Sequence, residues 1–95
     1  MSAAEPMTFG AAVEALKAGA RVCRAGWNGK GMWLCYMPPV VIPEANVNSR
    51  TKTFVPTGDL HVNGYFVMWT ADRKWQPGWL ASQTDMLATD WQVVA

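Results

Sequence analysis

Charge is scarce in this 95-residue chain: 16% of its residues are Asp, Glu, Lys or Arg, against about 25% in an ordinary soluble domain. The net charge is +1. No strong field therefore draws the chain to a nucleic-acid duplex or an acidic membrane, and neither is an expected partner. Histidine occurs once, as His61. With no Gly-x-Ser-x-Gly segment and no Cys–His signature, hydrolytic catalysis has little to work with. Asp59 beside His61 reads as a solvated loop edge. Cys23 and Cys35 are too few for a disulfide scaffold, and with one histidine they cannot close a metal site; no metal or other cofactor is expected, and both thiols read as reduced and buried. No apolar run approaches the ~20 residues that span a bilayer. The N-terminal residues show no basic region followed by an apolar stretch, so a cytoplasmic protein is expected.

Apolar and aromatic side chains are plentiful instead. They make up 51% of the sequence and include six tryptophans, at 27, 33, 69, 75, 79 and 91. A chain of this length forms one domain, over residues 1–95, and buries only about two thirds of its unfolded surface. That interior is too small for so much apolar area. A homo-oligomer is the expected outlet, because an obligate interface resembles a domain core cut in half.

The pattern along the chain reads as α+β. Residues 1–7 form a loose leader. Thr8 caps a helix over 9–18, with Phe9, Ala12, Val13 and Leu16 on one stripe, and Gly19 closes it in left-handed geometry. A short strand at 21–24, a glycine-rich turn at 26–31 and a strand at 32–37 follow. Pro38 and Pro39 end that strand, since proline cannot donate to a ladder. Residues 40–59 make a long loop, with room for a short strand at 53–55. The longest strand is expected at 62–70, then a turn at 71–74 and a return strand from Trp75. Ser82 and Asp85 have the spacing of a capping box for a short helix over 83–88. A last strand at 90–94 completes a mostly antiparallel sheet of four to six strands. Both faces of the strands at 32–37 and 62–70 are apolar, which again points to a second copy of the chain covering one of them.

Two segments carry recognition chemistry. Arg24, Trp27, Asn28 and Lys30 surround three glycines, so that backbone amides, two cations and one aromatic face lie close together. The Gly-Lys-Ser/Thr ending of a P-loop is absent, and Asn28-Gly29 also suits a type I′ turn. Near the C-terminus, Trp79 precedes Ser82, Gln83, Thr84 and Asp85. Trp27 and Trp79 sit in polar Gly/Pro-rich surroundings suited to stacking on a base; Trp69 and Trp91 read as packing residues, and Trp33 and Trp75 fit either role. Asp85 also reads as a helix cap and Asp90 as a turn residue.

These same residues carry a resemblance. Thr8-Phe9 opening a helix, Gly19-x-Arg21-Val22, Arg24-x-Gly26-Trp27-Asn28-Gly29, Met32-Trp33-Leu34, the segment from Trp79 to Asp85, and Asp90-Trp91 together resemble the second type of phage Thoeris anti-defence protein. The likeness spans nearly the whole chain, and residues 40–59 are where it gives no alignment. It implies a small α+β protein that assembles into homo-oligomers, expected to be tetramers, with pockets between protomers. It also implies a molecular sponge, one that sequesters glycocyclic ADP-ribose made by bacterial TIR-domain immune enzymes and leaves it uncleaved. Cyclic di- or trinucleotides are further ligands the resemblance suggests. The ligand-binding residues expected on this basis are Arg24, Trp27, Asn28, Lys30, Trp79, Ser82, Gln83, Thr84 and Asp85. Two rival functions stay open on sequence: a hydrolase of such a signal, and a structural or carbohydrate-binding phage protein whose tryptophans stack on sugars.

Overall fold

The structure is a computed structural model, and it describes residues 6–27 and 30–94. Helix α1 spans Phe9–Lys17 and starts where the Thr8 side chain accepts the Ala11 N–H at 3.2 Å. It stops at Gly19, whose φ of 101° lets the chain reverse without a Cβ clash while its N–H reaches the Leu16 carbonyl. Between these ends Ala12 and Leu16 are wholly buried. Burying the leucine alone contributes about 1.5–3 kcal/mol.

Seven strands follow among the described residues: β1 (Val22–Arg24), β2 (Trp33–Met37), β3 (Val40–Ile42), β4 (Leu60–Val62), β5 (Tyr65–Trp69), β6 (Trp75–Pro77) and β7 (Trp91–Val93). Five of them form an antiparallel sheet in the order β6-β5-β2-β1-β7. Strand register places Val22, Arg24, Leu34, Tyr36, Phe66, Met68 and Trp91 on one face. Helix α1 packs over the β1, β2 and β7 part of this face, and Ala12, Leu16, Val22, Leu34 and Trp91 make the core. Met7 exchanges backbone hydrogen bonds with Trp91 and so ties the last residue of the leader to β7.

The other face carries Cys23, Trp33, Cys35, Tyr65, Val67, Trp69 and Trp75. Of these only Val67 is buried, and Trp75 is 47% exposed. Trp33 and Trp69, paired across β2 and β5, stack with ring centres 5.8 Å apart, and the Arg21 guanidinium lies 5.1 Å over Trp33. Both cysteines are free, but they are half-buried and not enclosed as expected, because they sit on this open face. Burial still pushes the Cys35 thiol above its ordinary pKa.

Residues 40–59 differ from the expected loop. Strands β3 and β4 pair with each other, and their register (Val40↔Val62, Ile42↔Leu60) continues that of β2 and β5 (Met37↔Tyr65) without a slip. Pro38 and Pro39 interrupt this hairpin but do not end it: they remove two donors, and the apolar Val40–Ile42 run then resumes the ladder. For the same reason the single strand expected at 62–70 splits into β4 and β5 around Asn63-Gly64. The tip holds a 3-10 turn at Glu44–Asn46 and helix α2 at Ser49–Lys52, capped by the Asn48 side chain on the Thr51 N–H at 2.8 Å. Residues 53–55 are turn and bend rather than strand. The hairpin arm gives the molecule a 48 Å long axis and a radius of gyration of 16.0 Å, against about 12 Å for a compact chain of this length.

Candidate functional site

Arg24 ends β1 on the core face of the sheet, where a charge needs a partner. It has two. Its Nε donates to Asp90 Oδ1 at 2.8 Å and its Nη1 to Asp85 Oδ1 at 2.9 Å. The Arg24 and Asp85 side chains are each 14% exposed, and Asp90 is 34% exposed. Asp85 stands in the first turn of helix α3 (Gln83–Leu87), where it completes a capping box with Ser82. The same Oδ1 accepts the Trp27 indole N–H at 3.2 Å, and the Asp85 carbonyl accepts the Trp91 indole N–H at 2.9 Å. Asp90 Oδ2 accepts the Gly26 N–H at 2.7 Å. A Cβ on Gly26 would lie 2.8 Å from that oxygen, so the turn admits only glycine there without displacing the carboxylate.

These contacts set the charges. Hydrogen bonds from Arg24 hold the Asp90 carboxyl below the usual range against its partial burial, with the Gly26 N–H adding to them. Burial opposes ionisation of Asp85, but the hydrogen bonds from Arg24, Trp27 and Ser82 outweigh it, and its pKa is lowered as well. The two aspartates in turn raise the Arg24 pKa. All three groups are ionised near neutral pH, and the cluster carries a net charge of −1.

Three tryptophans meet beside it. Trp27 lies edge-on to the buried Trp91 with centres 5.3 Å apart, and Trp79 lies 6.3 Å from each of the other two. Trp79 borders a cleft of about 290 Å³ whose walls include Tyr36, Gly64, Tyr65, Phe66 and Gly78. Tyr36 and Phe66 meet edge-on at 5.8 Å. The Gly78 and Trp79 N–H groups both donate to the Phe66 carbonyl, at 2.8 and 3.0 Å, which fixes the Trp79 segment to β5. A Cβ at Gly64 would collide with the Tyr36 hydroxyl, so glycine keeps that wall close. Aromatic walls around a shallow cleft of this size suit a flat ring.

The model of the Thoeris anti-defense 2-like domain matches residues 7–94, which include every residue of the cluster and the cleft. The chain belongs to this family. It is also 39% identical over 89 residues to the Thoeris anti-defense 2 protein of Bacillus phage SP01, an alignment covering 94% of this chain and 96% of that protein.

In this Thoeris anti-defense 2-like chain, Arg24, Trp27, Trp79, Ser82 and Asp85 come together from two segments more than fifty residues apart in sequence. Gln83 and Thr84 are exposed on the first turn of α3, and Lys30 is exposed as well. Asn28, with the expected Asn28-Gly29 turn, lies outside the described residues. Trp27 differs from the free-standing ring its turn position suggests, because it packs on Trp91 at the edge of the core. Asp90, read from sequence as a turn residue, proves to be half of the Arg24 anchorage. Tyr36, Gly64, Tyr65 and Phe66 are cleft residues that sequence reasoning missed. The alternation of β2 and β5 places Tyr36 and Phe66 on one face, but nothing local shows that α1 leaves that end of the face uncovered. Among the described residues no group of three or more His, Cys, Asp or Glu side chains is placed to hold a metal ion. No helix of the described residues is long and apolar enough to cross a membrane.

Proposed function

We propose that this chain is a phage anti-defence sponge that binds a cyclic nucleotide immune signal and holds it intact, so that the host effector is not activated. Glycocyclic ADP-ribose is the leading ligand, with cyclic di- or trinucleotides as further ones. The observation that carries this reading is the aromatic cleft of Tyr36, Phe66 and Trp79 set against the Trp27–Trp79–Trp91 cluster, a surface on which an adenine ring can stack. Exposed Lys30 supplies a cation for phosphate, and Gln83 and Thr84 supply amide and hydroxyl groups. Membership of a Thoeris anti-defense family supports the biological role, and the proposed place of action is the cytoplasm of an infected bacterium.

Binding without cleavage is supported by the state of the carboxylates. Asp85 and Asp90, the titratable pair beside the tryptophans, are tied to Arg24 with lowered pKa values, so neither is poised as an acid or base near neutral pH. The open sheet face with Trp33, Trp69 and Trp75 and the exposed Val40, Val41 and Phe54 of the arm support a homo-oligomer, a tetramer in the family reading. Pockets between protomers would enlarge the shallow cleft. Titration of the purified protein with glycocyclic ADP-ribose by calorimetry tests the proposal: a saturable isotherm with a fixed number of sites per protomer is expected, and no heat of binding up to millimolar ligand would refute it.

A further inference from the structure

We infer that Arg24 is a positioning residue for the Trp27 ring and not a ligand for phosphate, and that Asp85, Arg24 and Asp90 act as one clamp on which ligand binding depends. The inference rests on the reading of this region as the ligand site. Its basis is where the donors go. Arg24 spends Nε and Nη1 on two different carboxylates at 2.8 and 2.9 Å, and its Nη2 lies beside Gly26, 3.3 Å from where an added Cβ would stand. An anion approaching this guanidinium meets a cluster already one unit negative. Coulomb repulsion and two existing charge-assisted bonds both oppose it.

The same contacts hold Trp27 from both sides. Asp85 Oδ1 accepts Arg24 Nη1 and the Trp27 indole N–H together, so the guanidinium fixes the oxygen that fixes the ring. On the backbone side, Asp90 takes the Gly26 N–H, its carbonyl takes the Ala25 N–H, and the Trp27 N–H donates to the Arg24 carbonyl. Each residue from Ala25 to Trp27 is thereby tied to the clamp. A planar guanidinium that bridges two carboxylates does this; an ammonium, lacking the fork, does not.

The two roles for Arg24 predict opposite signs. Were Arg24 an anion ligand, neutralising either aspartate would free the guanidinium and tighten binding. As part of the clamp, Asp85→Asn and Asp90→Asn each weaken binding of glycocyclic ADP-ribose by about tenfold or more. Arg24→Lys, which keeps the charge, weakens it in the same direction. The salt dependence stays as steep as in the parent, because no cation that touches the ligand has been removed. The Trp27 indole N–H resonance, followed by proton–nitrogen NMR without ligand, shifts or broadens in all three variants. Tighter binding in either Asp→Asn variant, or an indole resonance that none of the three moves, would overturn the clamp. A parent protein that binds no glycocyclic ADP-ribose removes the functional reading, and the indole resonance then decides the clamp alone. If Asp85→Asn fails to fold for want of its capping box, Asp90→Asn, which lies outside α3, carries the test.

Discussion

Replacing Trp27 by alanine separates packing from recognition, and the structure gives the size of the effect. A fully buried tryptophan costs about 3–5 kcal/mol when truncated to alanine. Trp27 is partly buried, so about half of that, roughly 1.5–2.5 kcal/mol, is expected. The two edge-on contacts, to Trp91 at 5.3 Å and Trp79 at 6.3 Å, supply much of it, at about 0.5–1.5 kcal/mol per aromatic pair. Losing the indole N–H leaves Asp85 Oδ1 with Arg24 as its remaining donor, so no buried carboxylate is orphaned. At about 4–8 °C per kcal/mol for a chain of this length, the melting temperature falls by roughly 6–20 °C. Trp91→Ala must cost more, because Trp91 is wholly buried and also touches Phe9 at 5.4 Å. Urea unfolding followed by far-UV circular dichroism measures both. A cost below about 1 kcal/mol for Trp27→Ala, or a larger one than for Trp91→Ala, would refute the packing role of the Trp27 ring. Ligand titration of the same variant, well below its melting temperature, then reads recognition separately, and most of the affinity is expected to vanish.

Acid should loosen the clamp: the folded pKa values of Asp85 and Asp90 lie below the unfolded value, near ~3.9, so their contribution is complete above that pH and is lost as the pH falls through the folded values. Melting temperature measured from pH 6 down to 3 should fall less steeply in Asp90→Asn than in the parent, and equal slopes would contradict this. Gly26→Ala drives a methyl group into Asp90 and should cost about 1–3 kcal/mol by denaturant unfolding, whereas Gly10→Ala in α1, whose Cβ meets only Thr8 Oγ1 at 3.9 Å, should stabilise by about 0.5–1 kcal/mol. Light scattering at micromolar concentration should give a mass of several protomers; a monomer would leave the open sheet face and the arm without the cover proposed for them.

Local signals are legible in this sequence and long-range ones are not. Thr8, the apolar stripe and Gly19 bound α1 to within a residue, and Ser82 with Asp85 places α3, because caps act within one turn. The arm escapes a sequence reading because a proline pair looks like a terminator, when it only removes two donors from a ladder that resumes on the same register. The cluster of Arg24 with Asp85 and Asp90 joins residues 61 and 66 positions apart, beyond any periodicity. One hint is present: Arg24 alternates with Val22 on the inward face of β1, and an inward arginine needs carboxylates from elsewhere. Tyr36 and Phe66 are visible as strand residues, but a cleft exists only once the span of α1 and the path of the Trp79 segment are fixed.

Sequestration without cleavage is tested most directly by recovery of the ligand. Protein in excess is incubated with glycocyclic ADP-ribose and filtered, and the filtrate is analysed by mass spectrometry before and after heat denaturation. The account predicts ligand absent from the first filtrate and returned intact in the second. Ligand that comes back cleaved, or that never leaves the first filtrate, would contradict it.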